Sequence, residues 1–182
     1  MKRRILIFSL AYEPFIGGAE VAVKEITSRL PEFDFEMITV NLDGKQKGLE
    51  TVGNVLVNRI EGKYLYPFRA LKLAASLHEE RKYDAVWAIM ANQAGMAAAS
   101  FKRKFPEVKF LLTLQEGDEL NSLAYRLRLL GPRLWRVFKR PDQIQVISNY
   151  LADWARTMGA NCPIEVVPNG VDINKFEIRN PK

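Results

Sequence analysis

The feature that most constrains this chain is a regular alternation of short apolar runs with longer segments of helical spacing, sustained from one end to the other. Residues 4–10, 35–42, 55–60, 84–90, 108–114, 143–147 and 164–167 read as strands. Between them, residues 18–30, 67–81, 93–104, 118–130, 132–139 and 149–158 read as helices. Stretches 85–90 and 110–114 are apolar at consecutive positions, so both faces of those strands need cover. That is the pattern of a parallel sheet layered by helices on each side. Right-handed crossovers then give an α/β fold, a doubly wound, mainly parallel sheet of Rossmann-like type. The polar, Gly-containing stretch 43–53 reads as a connection. On the first helix Ala19, Ala22, Val23, Ile26 and Leu30 fall on one face.

With 182 residues and 48% apolar content, the chain suits one such domain with a sizeable core. The one cysteine, Cys162, rules out an internal disulfide, fits a reducing compartment and has no partner in sequence that would activate it. Met1-Lys-Arg-Arg4 followed by ILIFSLA imitates a signal peptide, but a first β-strand explains the apolar run and is the reading adopted. No run approaches the ~18 apolar residues of a membrane span. The expectation is a cytoplasmic protein, peripheral on the inner face of the membrane.

That last expectation comes from charge. Lys and Arg number 27 against 21 Asp and Glu, a net charge of +6. Arg126, Arg128, Arg133, Arg136, Lys139 and Arg140 lie in one stretch without an acid and account for the excess. They alternate with Leu123, Leu127, Leu130, Leu134, Trp135, Val137 and Phe138. Basic and aromatic residues on amphipathic helices suit an anionic membrane surface, with Arg126, Arg128, Arg133, Trp135, Arg136, Lys139 and Arg140 as contact residues. At about 1 kcal/mol per basic residue, such a patch holds a protein there reversibly. The bland alternative packs the apolar residues on the sheet and leaves the arginines solvated. No known nucleic-acid motif accompanies the patch, so nucleic acid is not an expected partner.

Ligands of a doubly wound sheet bind outside the carboxyl ends of its strands. The first strand leads into PFIGGAEV, with Gly17 and Gly18 opening the first helix and Glu20 in its first turn. Glycines there let a ligand approach the backbone, and free N–H groups with the helix dipole favour a phosphate. Gly-Gly alone is equally a plain turn. There is no G-x-G-x-x-G and no G-x-x-x-x-G-K-[ST], so a nicotinamide cofactor or a P-loop hydrolase has no support. Asn92 and Gln93, Gln115, Ser148 and Asn169 follow later strands at the same edge. Ser148 reads as a helix cap before a ligand contact. His78, at a helix end beside Glu79 and Glu80, reads as a solvated or dipole-compensating side chain. Glu116, Asp118 and Glu119 read as acids at a helix start rather than a metal site.

Three segments, PFIGGAEV, VISNYLADWA and the closing VVPNGVDINKF, resemble in order and separation the N-terminal half of family 4 glycosyltransferases. The resemblance covers essentially the whole chain. It implies one half of a GT-B architecture: an acceptor-side domain over residues 1–170, the start of an interdomain linker over 171–182, and a C-terminal donor domain absent from this sequence. It implies a retaining enzyme using a nucleotide-sugar donor as substrate, without other cofactor or metal; the basic patch suits an acceptor that is lipid-linked or a polysaccharide precursor. The expected substrate-binding residues are Gly17, Gly18, Glu20 and Asn169, which the resemblance implies, with Asn92, Gln115 and Ser148 from their places after strands at the same edge. Many members carry histidine where this chain has Gln115. A glutamine can hydrogen-bond a sugar hydroxyl but cannot shuttle a proton, so no catalytic residue is assigned. Alone, this half is expected to be inactive. The alternative reading is a non-catalytic α/β module docking through its basic helices.

Overall fold

The computed structural model describes residues 2–115 and 132–171, with residues 132–135 described by their backbone only. The expected helix 118–130, the Glu116–Glu119 cluster, Arg126 and Arg128 lie outside the described residues, as does 172–182. The strands are β1 (Arg3–Phe8), β2 (Phe33–Val40), β3 (Leu49–Val52), β4 (Val55–Ile60), β5 (Ala85–Ile89), β6 (Lys109–Leu114), β7 (Gln143–Val146) and β8 (Ile164–Val166). The helices are α1 (Gly18–Ser28), α2 (Tyr66–Arg81), α3 (Gln93–Lys104), α4 (Pro132–Lys139) and α5 (Asn149–Thr157). The strands form one sheet in the order β3-β4-β2-β1-β5-β6-β7-β8. Every pairing is parallel except β3 with β4. This is the expected doubly wound, Rossmann-like α/β fold.

The two-faced apolar runs divide as a strand must, successive side chains going to opposite faces. Leu6 and Phe8 of β1 and Val86 and Ala88 of β5 join the cluster beneath α2, α3, α4 and α5. Ile7, Trp87 and Ile89 join the cluster beneath α1 with Met37, Val55 and Val57. Phe8, Phe110, Leu112 and Phe138 are fully buried, each contributing roughly 1.5–3 kcal/mol of transfer free energy. Ala-rich α3 is thin enough to lie close: a Cβ built on Gly95 would stand 2.7 Å from Val137 Cγ1 on α4 and 3.0 Å from the Met90 carbonyl oxygen.

Three local expectations are corrected. Connection 43–53 contains the edge strand β3, which pairs antiparallel with β4 from Leu49↔Asn58 to Val52↔Val55. Gly53, at φ +62, and Asn54 form its two-residue turn, a sequence suited to a tight hairpin. On α1 the buried stripe is Ala19, Val23 and Thr27, while Ile26 is exposed. Thr27 tolerates burial because its hydroxyl donates to the Lys24 carbonyl at 3.1 Å. His78 is buried, not solvated. It packs between Phe101 and Phe105, with ring centroids at 5.4 and 4.5 Å, and its Nδ1 accepts the Tyr83 N–H at 3.0 Å. Burial pushes its imidazole below the ordinary histidine value.

Candidate functional site

Strand order reverses between β1 and β5, which opens a crevice at the carboxyl edge of the sheet. The loop after β1 stands on one side of that switch point and residues 90–93 on the other. In the loop, the Ser9 hydroxyl donates to the Ala11 carbonyl at 2.8 Å, Tyr12 is buried, and the Phe15 N–H donates to the Tyr12 carbonyl at 3.2 Å. Glu13 pairs through its carboxylate with Lys24 on α1. The chain arrives at Gly17 extended (φ −121°, ψ −179°), and Gly17 caps α1 with no side-chain hydrogen bond.

Gly17 and Gly18 are exposed. Around Gly18 a Cβ would meet nothing within 4 Å, so the first turn of α1 is open to an approaching group. At Gly17 a Cβ would stand 2.5 Å from Glu20 Oε2. The Glu20 carboxylate therefore folds back over the helix start, where negative charge is favoured by the dipole.

Across the switch point Met90 has φ +70°, a left-handed conformation that costs a side-chain-bearing residue about 1 kcal/mol or more. Its N–H is bonded to the Thr113 carbonyl at 2.8 Å. Asn92 caps α3, its Oδ1 accepting the Ala94 N–H at 2.8 Å. Farther along the edge, Gln115 is buried and its Oε1 accepts from Asn169 Nδ2 at 3.2 Å. This joins two expected site residues from the ends of different strands. The segment bearing Asn169 is anchored to β7 by the Val167 N–H on the Val146 carbonyl and Gln145 Nε2 on the Val167 carbonyl, both 2.8 Å. Ser148 acts as a cap: its Oγ accepts the Leu151 N–H at 3.3 Å.

Sequence reasoning missed Arg59. It occupies the inward phase of Val55, Val57, Arg59 on β4 and is buried. Its Nε donates to Glu50 Oε1 at 2.8 Å, and Nη2 donates to the Glu13 carbonyl in the glycine loop. A charged residue in a buried phase of a strand was the available signal.

The basic patch divides as well. On α4, Arg136 and Lys139 are exposed, and just past its end Arg140 is half-buried. Val137 and Phe138 are fully buried, Phe138 edge-on to Trp154 with centroids at 5.1 Å. The apolar residues of α4 described here thus pack inward. The side chains of Arg133 and Trp135 lie outside the described residues.

At the opposite, amino edge of the sheet an open pocket of about 340 Å³ is lined by Arg4, Glu36, Asn54, Arg81 and Tyr83 among others. Its central carboxylate is already partnered: Glu36 accepts from the Tyr83 hydroxyl at 2.5 Å, from Arg81 Nη1 at 3.3 Å and, from outside the pocket lining, from Asn58 Nδ2 at 2.9 Å. Cys162 is half-buried and burial raises its thiol above the ordinary value. Among the described residues no group of three or more His, Cys, Asp or Glu could hold a metal ion. No described helix is long and apolar enough to cross a membrane.

The sheet order and the loops gathered at its carboxyl edge define a doubly wound α/β domain of the class that receives a ligand at a switch point. The chain belongs to Glycosyltransferase Family 4, whose sequence profile matches residues 16–175. Its fold is similar to that of a sucrose-phosphate synthase from Thermosynechococcus elongatus, with a TM-score of 0.67 over 93% of this chain and 91% of that one at 13% identity. It is also similar to an E. coli trehalose-6-phosphate structure bound with UDP-2-fluoro glucose (TM-score 0.59, 13% identity, 94% of this chain and 50% of that one). An α,α-trehalose-phosphate synthase (UDP-forming) from Burkholderia vietnamiensis matches at TM-score 0.59 and 14% identity, over 96% of this chain and 50% of that one. The chain thus spans about half the length of these last two. No curated protein matches it in sequence.

Proposed function

We propose that this domain is the acceptor-side half of a retaining glycosyltransferase that moves a sugar from a nucleotide-sugar to an acceptor. The observation that carries the reading is an open, glycine-built helix start at the switch point of a family 4 chain. The donor class is supported by the UDP-2-fluoro glucose bound in one structural relative. Residues 171–182 begin the passage to a second domain that holds most of the donor site.

At the Gly17-Gly18 turn, backbone N–H groups stabilise negative charge on the departing phosphate as oxocarbenium-like character develops at the sugar. Asn92 and the Gln115–Asn169 pair offer neutral donors and acceptors suited to sugar hydroxyls. Neither Gln115 nor Asn169 can exchange a proton, which accords with the family resemblance, by which the leaving phosphate receives the acceptor proton. The outward Arg136 and Lys139 of α4 favour an acceptor at an anionic membrane, lipid-linked or a polysaccharide precursor.

The test is incubation of the full-length protein with a panel of nucleotide-sugars and membrane lipid extract. Released nucleoside diphosphate and the anomeric configuration of the product by NMR are the readouts. Transfer with retention is expected. An inverted product removes the retaining mechanism; absence of both turnover and donor binding across the panel removes the enzyme reading and leaves the docking module. Co-sedimentation with vesicles tests the membrane element: pelleting should require anionic lipid, and equal pelleting with neutral vesicles overturns it.

A further inference from the structure

We propose that Arg59 is a positioning residue for the glycine loop, a buried guanidinium that holds the backbone before Gly17 at the height a bound phosphate requires. The nature of the ligand rests on the transferase reading; the clamp itself rests on geometry. The Arg59 side chain is 1% exposed. It projects from the carboxyl end of β4, under the loop that leaves β1, and reaches two separate elements. Nε is held by Glu50 of β3 at 2.8 Å, and Nη2 holds the Glu13 carbonyl. The edge hairpin and the ligand loop are thereby joined through one planar group.

The planar guanidinium fork carries five donors aimed in fixed directions, so one arginine can hold two separate elements at once; lysine presents a single point charge. The surrounding charges cancel, Arg59 against Glu50 and Lys24 against Glu13. The contribution of Arg59 is therefore positional rather than a long-range field. Among the described residues, Arg59 Nη1 and Thr39 Oγ1 have no hydrogen-bond partner. They belong to register partners on neighbouring strands, Thr39↔Arg59. Buried polar atoms without partners are uncommon, and two on facing residues mark this spot as built for more than packing. A hydrophobic residue would cover the sheet here at lower cost, since a buried ion pair gives little or no net stability over well-packed apolar side chains. What the apolar residue cannot do is hold the Glu13 carbonyl.

The experiment compares Arg59→Met and Arg59→Lys in the full-length protein by amide hydrogen exchange and steady-state kinetics. In Arg59→Met the Phe15 and Val21 amides, bonded to the Tyr12 and Gly17 carbonyls, are expected to exchange at least tenfold faster. Amides of β5 and β6 should stay within twofold. Arg59→Lys should fall between, and kcat/KM for transfer should drop in the same order while the acceptor KM is unchanged. Unchanged loop exchange in a folded Arg59→Met protein overturns the proposal. So does an equal rise across the whole sheet, which would make Arg59 a general stabiliser. If Arg59→Met does not fold, Arg59→Lys and Glu50→Gln take the same two-region comparison under the same criteria. If the unaltered protein transfers no sugar, the transferase reading fails, and the exchange comparison still decides the clamp.

Discussion

Replacing Gly95 by alanine sets two effects against each other. In an exposed helix interior the change would stabilise α3 by about 1 kcal/mol, the propensity difference between the two residues. Here the new Cβ arrives 2.7 Å from Val137 Cγ1 and 3.0 Å from the Met90 carbonyl oxygen. The methyl of Val137 can retreat only by moving α4, because Val137 and Phe138 are both fully buried. The Met90 carbonyl belongs to a residue already at φ +70°, so it has little freedom to turn aside. Overpacking of this kind costs roughly 1–3 kcal/mol. Packing should outweigh propensity, leaving Gly95→Ala less stable by up to about 2 kcal/mol. Urea unfolding followed by far-UV circular dichroism measures this. The double variant Gly95→Ala with Val137→Ala should be more stable than the sum of the two single losses, because the closest contact is gone. A Gly95→Ala protein as stable as the parent, or a strictly additive double variant, would refute the reasoning.

Lys82→Gly should stabilise by on the order of 0.5 kcal/mol, because Lys82 is exposed at φ +51° and glycine relieves that conformation at some entropic cost; a lower thermal midpoint would contradict this. Gly17→Val should leave unfolding free energy within about 0.5 kcal/mol, since φ −121° suits valine and the flexible Glu20 carboxylate can swing away. In the full-length protein it should weaken nucleotide-sugar binding by calorimetry and abolish transfer, and unchanged binding and transfer would remove the loop from the site. His78 predicts a pH dependence of stability. Its folded value lies below the ordinary 6.5 because of burial, with Lys82 adding to the depression and Glu107 and Glu79 opposing it. The unfolded chain therefore binds the extra proton first as pH falls. The histidine's contribution is intact above about 6.5 and is lost progressively below it, where protonation also ends the Tyr83 N–H bond. His78→Gln should flatten the stability curve between pH 6.5 and 5; an unchanged slope would refute this.

The sheet was legible because its strands are apolar at consecutive positions, a pattern few other structures satisfy. Most element ends fall within a residue or two of their expected places, set by local signals such as Asn92 and Ser148 at helix starts. β3 escaped because it is a short edge strand: its four residues, LETV, are at most half-buried and follow directly on a polar, Gly-containing run. The Gly53-Asn54 turn was the local sign of it. The burial of His78 depends on Phe101 and Phe105, residues more than twenty positions away, so no local pattern could show it. Arg59 illustrates the same limit. The residue that anchors the glycine loop is 46 positions from its Glu13 partner, and only the folded sheet brings them together.

The short strand β8 has a consequence for how these molecules behave in company. A parallel sheet ends in rows of unpaired amides and carbonyls that can recruit another strand. β8 contributes three residues, Ile164–Val166, between Pro163 and Pro168. Neither proline has an N–H to offer a neighbour. An incoming copy would find too few consecutive ladder positions along β8 to hold it, so among the described residues this edge resists extension by a second molecule.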